Sequence, residues 1–140
     1  MKVISSSIIA LALLAGLPAT AETVVSDLRG TWKGDSESIV LGLGNPHHTP
    51  AQSSEPQLRS LPFTLMIDKQ DGRRFSGTFS SARSSEKIIA VVSRNGAILL
   101  ADDEGYTHGT MLAPNRMELC YLHVSSSARV VSCVELTKQP

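Results

Sequence analysis

The sequence predicts an all-β protein, an antiparallel up-and-down meander of eight or nine strands that closes into a small barrel. Between residues 28 and 137, apolar and polar residues alternate in short runs, which is the period of a half-buried strand. Pairs with strong turn preferences, such as Asp71-Gly72 and Asn95-Gly96, separate these runs. No long segment of this region repeats apolar residues at the helical period. Closure is favoured because it removes exposed strand edges, and a two-sheet sandwich is the alternative.

Nine predicted strands follow from this alternation, in chain order. The first five are Leu28–Lys33, Ser38–Leu43, Phe63–Ile67, Phe75–Phe79 and Lys87–Ser93. The last four are Ile98–Asp102, Tyr106–Ala113, Met117–His123 and Val130–Leu136. Within the fifth, Ile88 to Val92 is continuously apolar, which predicts burial on both faces. Further turns are expected at Glu104-Gly105, Pro114-Asn115 and Ser125–Ala128.

One segment, Gly44 to Ser60, interrupts the regular spacing of the strands. It is 17 residues long and polar, and its prolines, Pro46, Pro50 and Pro56, exclude a central strand. Long connections of this kind are often functional or disordered. We expect an exposed loop, more mobile than the strands, that is either a plain excursion or a lid or contact loop beside the barrel mouth.

The N-terminus has the pattern of an export signal. Lys2 is followed by a mostly apolar run, and Ala19 and Ala21 occupy the small-residue positions of an A-x-A cleavage site. Residues 1–21 are therefore expected to be removed, and residues 22–140 to form a single barrel domain in the periplasm or outside the cell. A lipid anchor is not expected, because the first cysteine is Cys120.

Composition argues against two classes of partner. All 13 acidic residues and every basic residue except Lys2 follow residue 21, so the mature chain has about one net negative charge and no concentrated basic patch. Nucleic acid and anionic membrane surfaces, which attract such patches, are not expected as partners. No later segment is long and apolar enough to span a membrane.

The two cysteines are expected to form one disulfide, as an even pair in an exported protein usually does. Opposite residues in a hairpin have a constant sum of positions, and Cys120 and Cys133 place the turn between Ser126 and Ser127, inside a polar serine run. Counting outward from Ser125 opposite Ala128 makes the cysteines a non-hydrogen-bonded pair, whose Cα atoms lie about 4.5 Å apart. That separation is close enough for a bond.

Gly30-Thr31-Trp32 opens the first predicted strand, and here the chain resembles the avidin-like barrels of the calycin group, whose first strand begins with a G-x-W element. The resemblance implies a barrel in which Gly30 permits a close chain crossing and Trp32 plugs one end. It does not imply biotin binding, because an avidin-like pocket is walled by several Trp residues and this chain has one. A large ligand could instead use Phe63, Phe75, Phe79 and Tyr121, which are more simply explained as core.

No catalytic, cofactor-binding or metal residues are assigned from the sequence. His47-His48 lacks a third ligand at a recognisable spacing, so these residues are expected to be exposed in the loop. His108 and His123 are expected to be ordinary strand residues. Asp102 to Glu104 lacks the spaced oxygen ligands of a calcium loop and is expected to be a solvated turn. The many serines include no G-x-S-x-G elbow, although a Ser-His-Asp arrangement is spatial and has no fixed spacing.

The sequence therefore favours an exported barrel that binds a small molecule in its mouth or a protein through its loops. The alternative is an inhibitor of an exported hydrolase such as a protease. Small bacterial metalloprotease inhibitors also use barrels with one disulfide, and Glu22 to Asp27 could form an arm that enters a cleft. This chain lacks the W-x-P-x-P-D-G run of those inhibitors. A hollow barrel would favour the first function and a filled one the second; an unrecognised hydrolytic site is a third possibility.

Overall fold

The structure, a computed structural model, describes residues 25–51 and 54–140, which form one antiparallel sheet without helices. The predicted signal segment and its cleavage site lie outside these residues. The nine strands are β1 (Gly30–Gly42), β2 (Gln57–Arg59), β3 (Pro62–Asp71), β4 (Arg74–Ser80), β5 (Ser85–Val92), β6 (Ala97–Ala101), β7 (Tyr106–Ala113), β8 (Arg116–Val124) and β9 (Ala128–Lys138). No helix in the described part of the chain is long and apolar enough to cross a membrane.

The sheet closes into the predicted barrel because β1 pairs with both β3 and β9. The short strand β2 extends the line of β3 along the same edge of β1. Ile39 pairs with Leu58 in β2 and Trp32 pairs with Leu65 in β3, and the paired positions add to 97 in both cases. The barrel therefore has eight strands, with β2 as an extra strand at the edge.

Two details of the strand prediction are wrong. Residues 28–33 and 38–43 were expected to be separate strands, but β1 runs without a break from Gly30 to Gly42. Gly34 allows this, because a Cβ there would overlap the main-chain oxygen of Glu135 on β9, where the two strands approach closely. The Ile88–Val92 segment is buried on one face only, since the side chain of Ile89 is 69% exposed on the outer surface.

The barrel interior is packed with apolar side chains at the end where β1 begins. Trp32 and Leu28 are fully buried there, and the indole Nε1 of Trp32 donates a hydrogen bond of 2.8 Å to the main-chain oxygen of Leu28. Gly30 has a φ of 123°, a conformation that favours glycine. A Cβ on Gly30 would meet only Lys138 at an ordinary 3.4 Å, so the tight crossing is at Gly34 and not at Gly30.

The disulfide predicted from the hairpin register is confirmed. Cys120 lies directly opposite Cys133, with a Cα–Cα distance of 4.1 Å, and the two sulfurs are bonded. The turn also has the predicted geometry, because the main-chain N–H of Ser125 donates to the oxygen of Ala128 at 2.9 Å. Both cysteines lie on the outer face, so the bond ties β8 to β9 without entering the barrel.

Candidate ligand site at the barrel mouth

A small cavity of about 30 Å³ lies inside the opposite end of the barrel from Trp32. Ser38, at the level of this cavity, is six residues beyond Trp32 along β1, which is about 20 Å at the rise of a strand. The cavity is large enough for a water molecule. Its walls are mostly apolar and are formed by Phe63, Phe79, Leu100, Leu119 and Val134. Polar groups also converge on it from Asn45, His47, His48, Asp102, Thr107, Tyr121 and Ser132.

The mouth is closed by Asn45 to His48, which we call the capping turn. It follows β1, and the main-chain N–H of Asn45 donates to the oxygen of His48 at 3.2 Å. His47 and His48 are 5% and 2% exposed. The prediction that these two histidines are exposed in a loop is therefore wrong, because this part of the Gly44–Ser60 segment folds inward. The same segment also contains the strand β2.

The hydrogen bonds of Asn45 determine which nitrogen of His48 carries the proton. The side-chain oxygen of Asn45 accepts from the main-chain N–H groups of His47 and His48 at 3.1 and 2.7 Å, which identifies it as the carbonyl end of the amide. Nδ1 of His48 lies 2.9 Å from the same oxygen and must donate to it. A neutral imidazole has one donor nitrogen, so Nε2 of His48 is an acceptor.

Three serine hydroxyls continue this chain of hydrogen bonds into the barrel wall. Oγ of Ser38 lies 3.0 Å from Nε2 of His48 and donates to it. Having used its only proton, Ser38 accepts from Ser36 at 3.0 Å and from Ser132 at 2.7 Å. Among the described residues, every buried side-chain nitrogen and oxygen has a partner. The polar groups of the capping turn are therefore buried without the cost of unmade hydrogen bonds.

Burial lowers the pKa of His48 to about 4, and the nearby charges of His47 and Arg59 act in the same direction. Desolvation penalises the charged imidazole, so His48 is neutral at pH 7. A Ser–His–Asn relay of this kind has the connectivity of a nucleophile activated by a base. Ser38 is only 7% exposed beneath the capping turn, however, so the observed state gives a substrate no access to its hydroxyl.

His47 attaches the capping turn to the opposite side of the barrel. Its Nδ1 lies 2.8 Å from the hydroxyl of Ser81, and its Nε2 lies 3.3 Å from a carboxylate oxygen of Glu86 on β5. The imidazole also contacts the rings of Phe63 and Phe79 edge-on, at centroid distances of 5.2 and 6.0 Å. Burial raises the pKa of Glu86, while His47 opposes that shift. His47 therefore occupies an aromatic recess beside a partly buried carboxylate.

The surroundings of Tyr121 at the mouth are acidic. Burial raises the pKa of Tyr121 to about 12, and the negative charges of Asp102, Glu86 and Glu104 add to the effect. Asp102 lines the cavity, and its carboxylate also accepts hydrogen bonds from the main-chain N–H groups of Glu104 and Gly105, at 2.9 and 2.7 Å. Three carboxylates thus lie near one side of a mostly apolar cavity.

The other residues considered from the sequence lie away from this cavity. The disulfide is on the outer surface, and Gly30 and Trp32 are at the far end. Phe75 belongs to the core but does not line the cavity, whereas Phe63, Phe79 and Tyr121 do. Within residues 25–51 and 54–140, no three His, Cys, Asp or Glu side chains gather as metal ligands would.

Sequence reasoning missed the capping turn, although a local signal was present. Asn45 precedes Pro46, and an Asn followed by Pro favours a turn in which the Asn side chain accepts main-chain N–H groups. The alternation in β1 also places Ser36 and Ser38 on the inner face, where polar residues need buried partners. The partner histidines could not be identified, because their burial depends on the path of an irregular loop.

No protein-family model matches this chain, and no curated protein matches its sequence.

Proposed function

We propose that this protein is an exported binding protein whose ligand is a small molecule held at the mouth of the barrel. The observation that carries the proposal is the cavity itself, with apolar walls and convergent polar groups, two of which, His48 and Tyr121, have strongly shifted pKa values. Pockets with these properties are the usual location of ligand sites. The barrel fold and the disulfide support an exported, avidin-like scaffold as the setting of this site.

The lining indicates the chemistry of the ligand. Phe63 and Phe79 stack with ring centroids 4.8 Å apart and provide an apolar surface. Glu86 pairs directly with Phe79 across β4 and β5, and Asp102 lines the cavity, so two carboxylates beside the aromatic surface would attract a positive charge. A small molecule with an aromatic or aliphatic body and a cationic end matches both features, because each end then meets its complement.

The imidazole of His47 occupies part of this site in the observed state. It lies against Phe63 and Phe79 and reaches Glu86, which are the contacts proposed for an aromatic cation. A ligand larger than a few atoms must therefore displace the capping turn. The turn would act as a lid, and its displacement would reduce the apparent affinity in proportion to the population of the open state.

The proposal is tested with three probes of similar shape and different charge: benzylamine, benzyl alcohol and benzoate. In amide-resolved NMR titrations, we expect benzylamine to bind most tightly and to shift resonances of Thr107, Tyr121 and the capping turn. Asp102→Asn should weaken benzylamine binding about tenfold, as the loss of a partly buried charge partner usually does. Asp103→Asn is the matched control, because Asp103 is exposed and does not line the cavity. Equal binding of the three probes, or shifts away from the mouth, would contradict the proposal.

A second candidate, inhibition of an exported hydrolase, is favoured by one observation. Apart from the mouth cavity, the core packs the interior with large side chains, so the barrel is not hollow. A filled barrel fits a protein that acts through its surface. Protection of an exported protease from the same cell fraction would support this function, and removal of residues 22–27 should abolish that protection if these residues act as an inhibitory arm.

A further inference from the structure

The outer surface of the barrel carries an uninterrupted row of apolar side chains, which we call the apolar belt. Six strands contribute one outward-facing residue each, and each residue lies directly opposite the next across the sheet. In order, the belt consists of Ile39, Val131, Leu122, Tyr106, Ala101 and Ile89, and beyond Ile39 the apolar row continues to Leu58 on the extra strand β2. Directly opposite residues in a sheet are near enough for their side chains to form one continuous surface.

The belt is the continuous part of an exterior that also carries other exposed apolar residues, among them Leu99 and Val124. Its side chains are exposed, with Tyr106 and Ile89 at 70% and 69%. The row stops at β4, where the residue opposite Ile89 is Ser76 and the outward positions are all polar. Contiguous exposed apolar surface of this kind usually marks an interaction site.

Two charged residues flank the belt on opposite sides. Arg129 lies two residues before Val131 on β9, and Glu37 lies two residues before Ile39 on the antiparallel strand β1. Both side chains are exposed, and neither side chain forms a hydrogen bond or ion pair with another described residue. Arg29, Arg74 and Arg116, by contrast, each pair with a carboxylate of their own chain.

We propose that the apolar belt is the interface between two copies of this chain, related by a twofold axis that runs along the belt. Such an axis reverses the strand direction of the second copy and exchanges the two sides of the belt. Arg129 of one copy then lies over the row of the other copy that contains Cys133 and Glu37, which pair directly with each other. Neighbouring strands are about 4.8 Å apart, within the reach of an arginine side chain.

A second copy fits this surface for two reasons. A twofold interface uses the same patch on both subunits, so an apolar patch finds its complement in itself. The charges that flank it have opposite sign, so each copy supplies the counter-ion that the other lacks, twice per dimer. Because the barrel surface curves, we expect four adjacent strands of the belt, β7, β8, β9 and β1, to form the contact.

The association is tested by sedimentation velocity of the purified protein from about 1 to about 200 µM, a range in which a reversible dimer changes its sedimentation coefficient. We expect a dimer for the wild type. Val131→Lys should raise the dissociation constant at least about 30-fold, because it buries an unpaired charge at the centre of the contact. Met66→Lys is the matched control: Met66 is an exposed apolar residue on β3, outside the belt, and its replacement should change nothing.

The orientation is tested by exchange of the flanking charges. Arg129→Glu and Glu37→Arg should each weaken the dimer about tenfold or more, and the double exchange should restore it to within about threefold of the wild type. A monomer across the whole concentration range overturns the proposal, even if the protein binds detergent or another protein. A dimer that Val131→Lys leaves intact, or that the double exchange does not restore, also overturns it.

Discussion

His48 is buried in the barrel mouth as a neutral base, and its partners explain why this is tolerated. Asn45 accepts from one ring nitrogen and Ser38 donates to the other, so both hydrogen-bonding groups of the imidazole are satisfied. Protonation would place a second donor against Ser38, which could accept it only if the serine chain reversed. The neutral state is thus favoured by burial and by the direction of the hydrogen bonds together.

We predict that this arrangement makes stability depend on pH between about 6.5, the ordinary pKa of histidine, and about 4, the pKa of His48 in the folded protein. In that range the unfolded chain binds a proton that the folded chain does not, so the free energy of unfolding falls as the pH falls. The loss attributable to His48 should total about 3 kcal/mol and should be complete below pH 4. Urea denaturation at a series of pH values measures it.

The matched variants for this measurement are His48→Gln and His108→Gln, which replace a buried and an exposed histidine. His48→Gln should lose most of the pH dependence, whereas His108→Gln should retain it. The raised pKa of Glu86 has the opposite effect on the pH dependence of stability. We expect this effect to differ less between the variants than the effect of His48 does. Identical pH dependence in His48→Gln and the wild type would exclude His48 as its source.

At the level of elements, register was the most predictable property and loop path the least. The pairing of Cys120 with Cys133 followed from the position of the serine turn, because the position of the turn in a hairpin determines which residues of the two strands lie opposite each other. The division of β1 into two strands was predicted wrongly, because Gly34 permits a close approach of β9 that lets β1 continue without a break. The capping turn could not be predicted, since its position depends on side chains from β1, β5 and β9.

We predict that the disulfide stabilises the closing hairpin by about 3 kcal/mol, because it closes a short loop in the unfolded chain. Replacement of both cysteines by alanine should lower the free energy of unfolding by that amount in urea titrations. A reductant should destabilise the wild type equally and leave the double variant unchanged. Two reactive thiols in the unreduced, unfolded protein would contradict the bond.

For the whole molecule, the closed barrel provides the setting for both proposals, ligand binding at the mouth and association of two copies through the apolar belt. Closure leaves a packed interior at the Trp32 end and a capped cavity with mostly apolar walls at the mouth. The fold class and the closure were predictable, because alternation and turn residues determine an antiparallel meander. Whether the barrel interior is filled or hollow was not predictable, since it depends on how deeply the capping turn enters the mouth. The sequence predicts that the belt residues face outward on their strands. Only the strand registers show that they lie side by side as one surface.

The central claim is that the imidazole of His47 occupies part of a ligand site, and the affinity of benzylamine for a variant without this ring tests it most directly. We compare the wild type with a His47→Ala variant, and with His108→Ala as the control, after circular dichroism has shown that each is folded. Removal of the competing ring should tighten binding about tenfold, because the ligand no longer has to displace it. His108→Ala should bind as the wild type does. Unchanged or weaker binding by the folded His47→Ala variant would contradict the account.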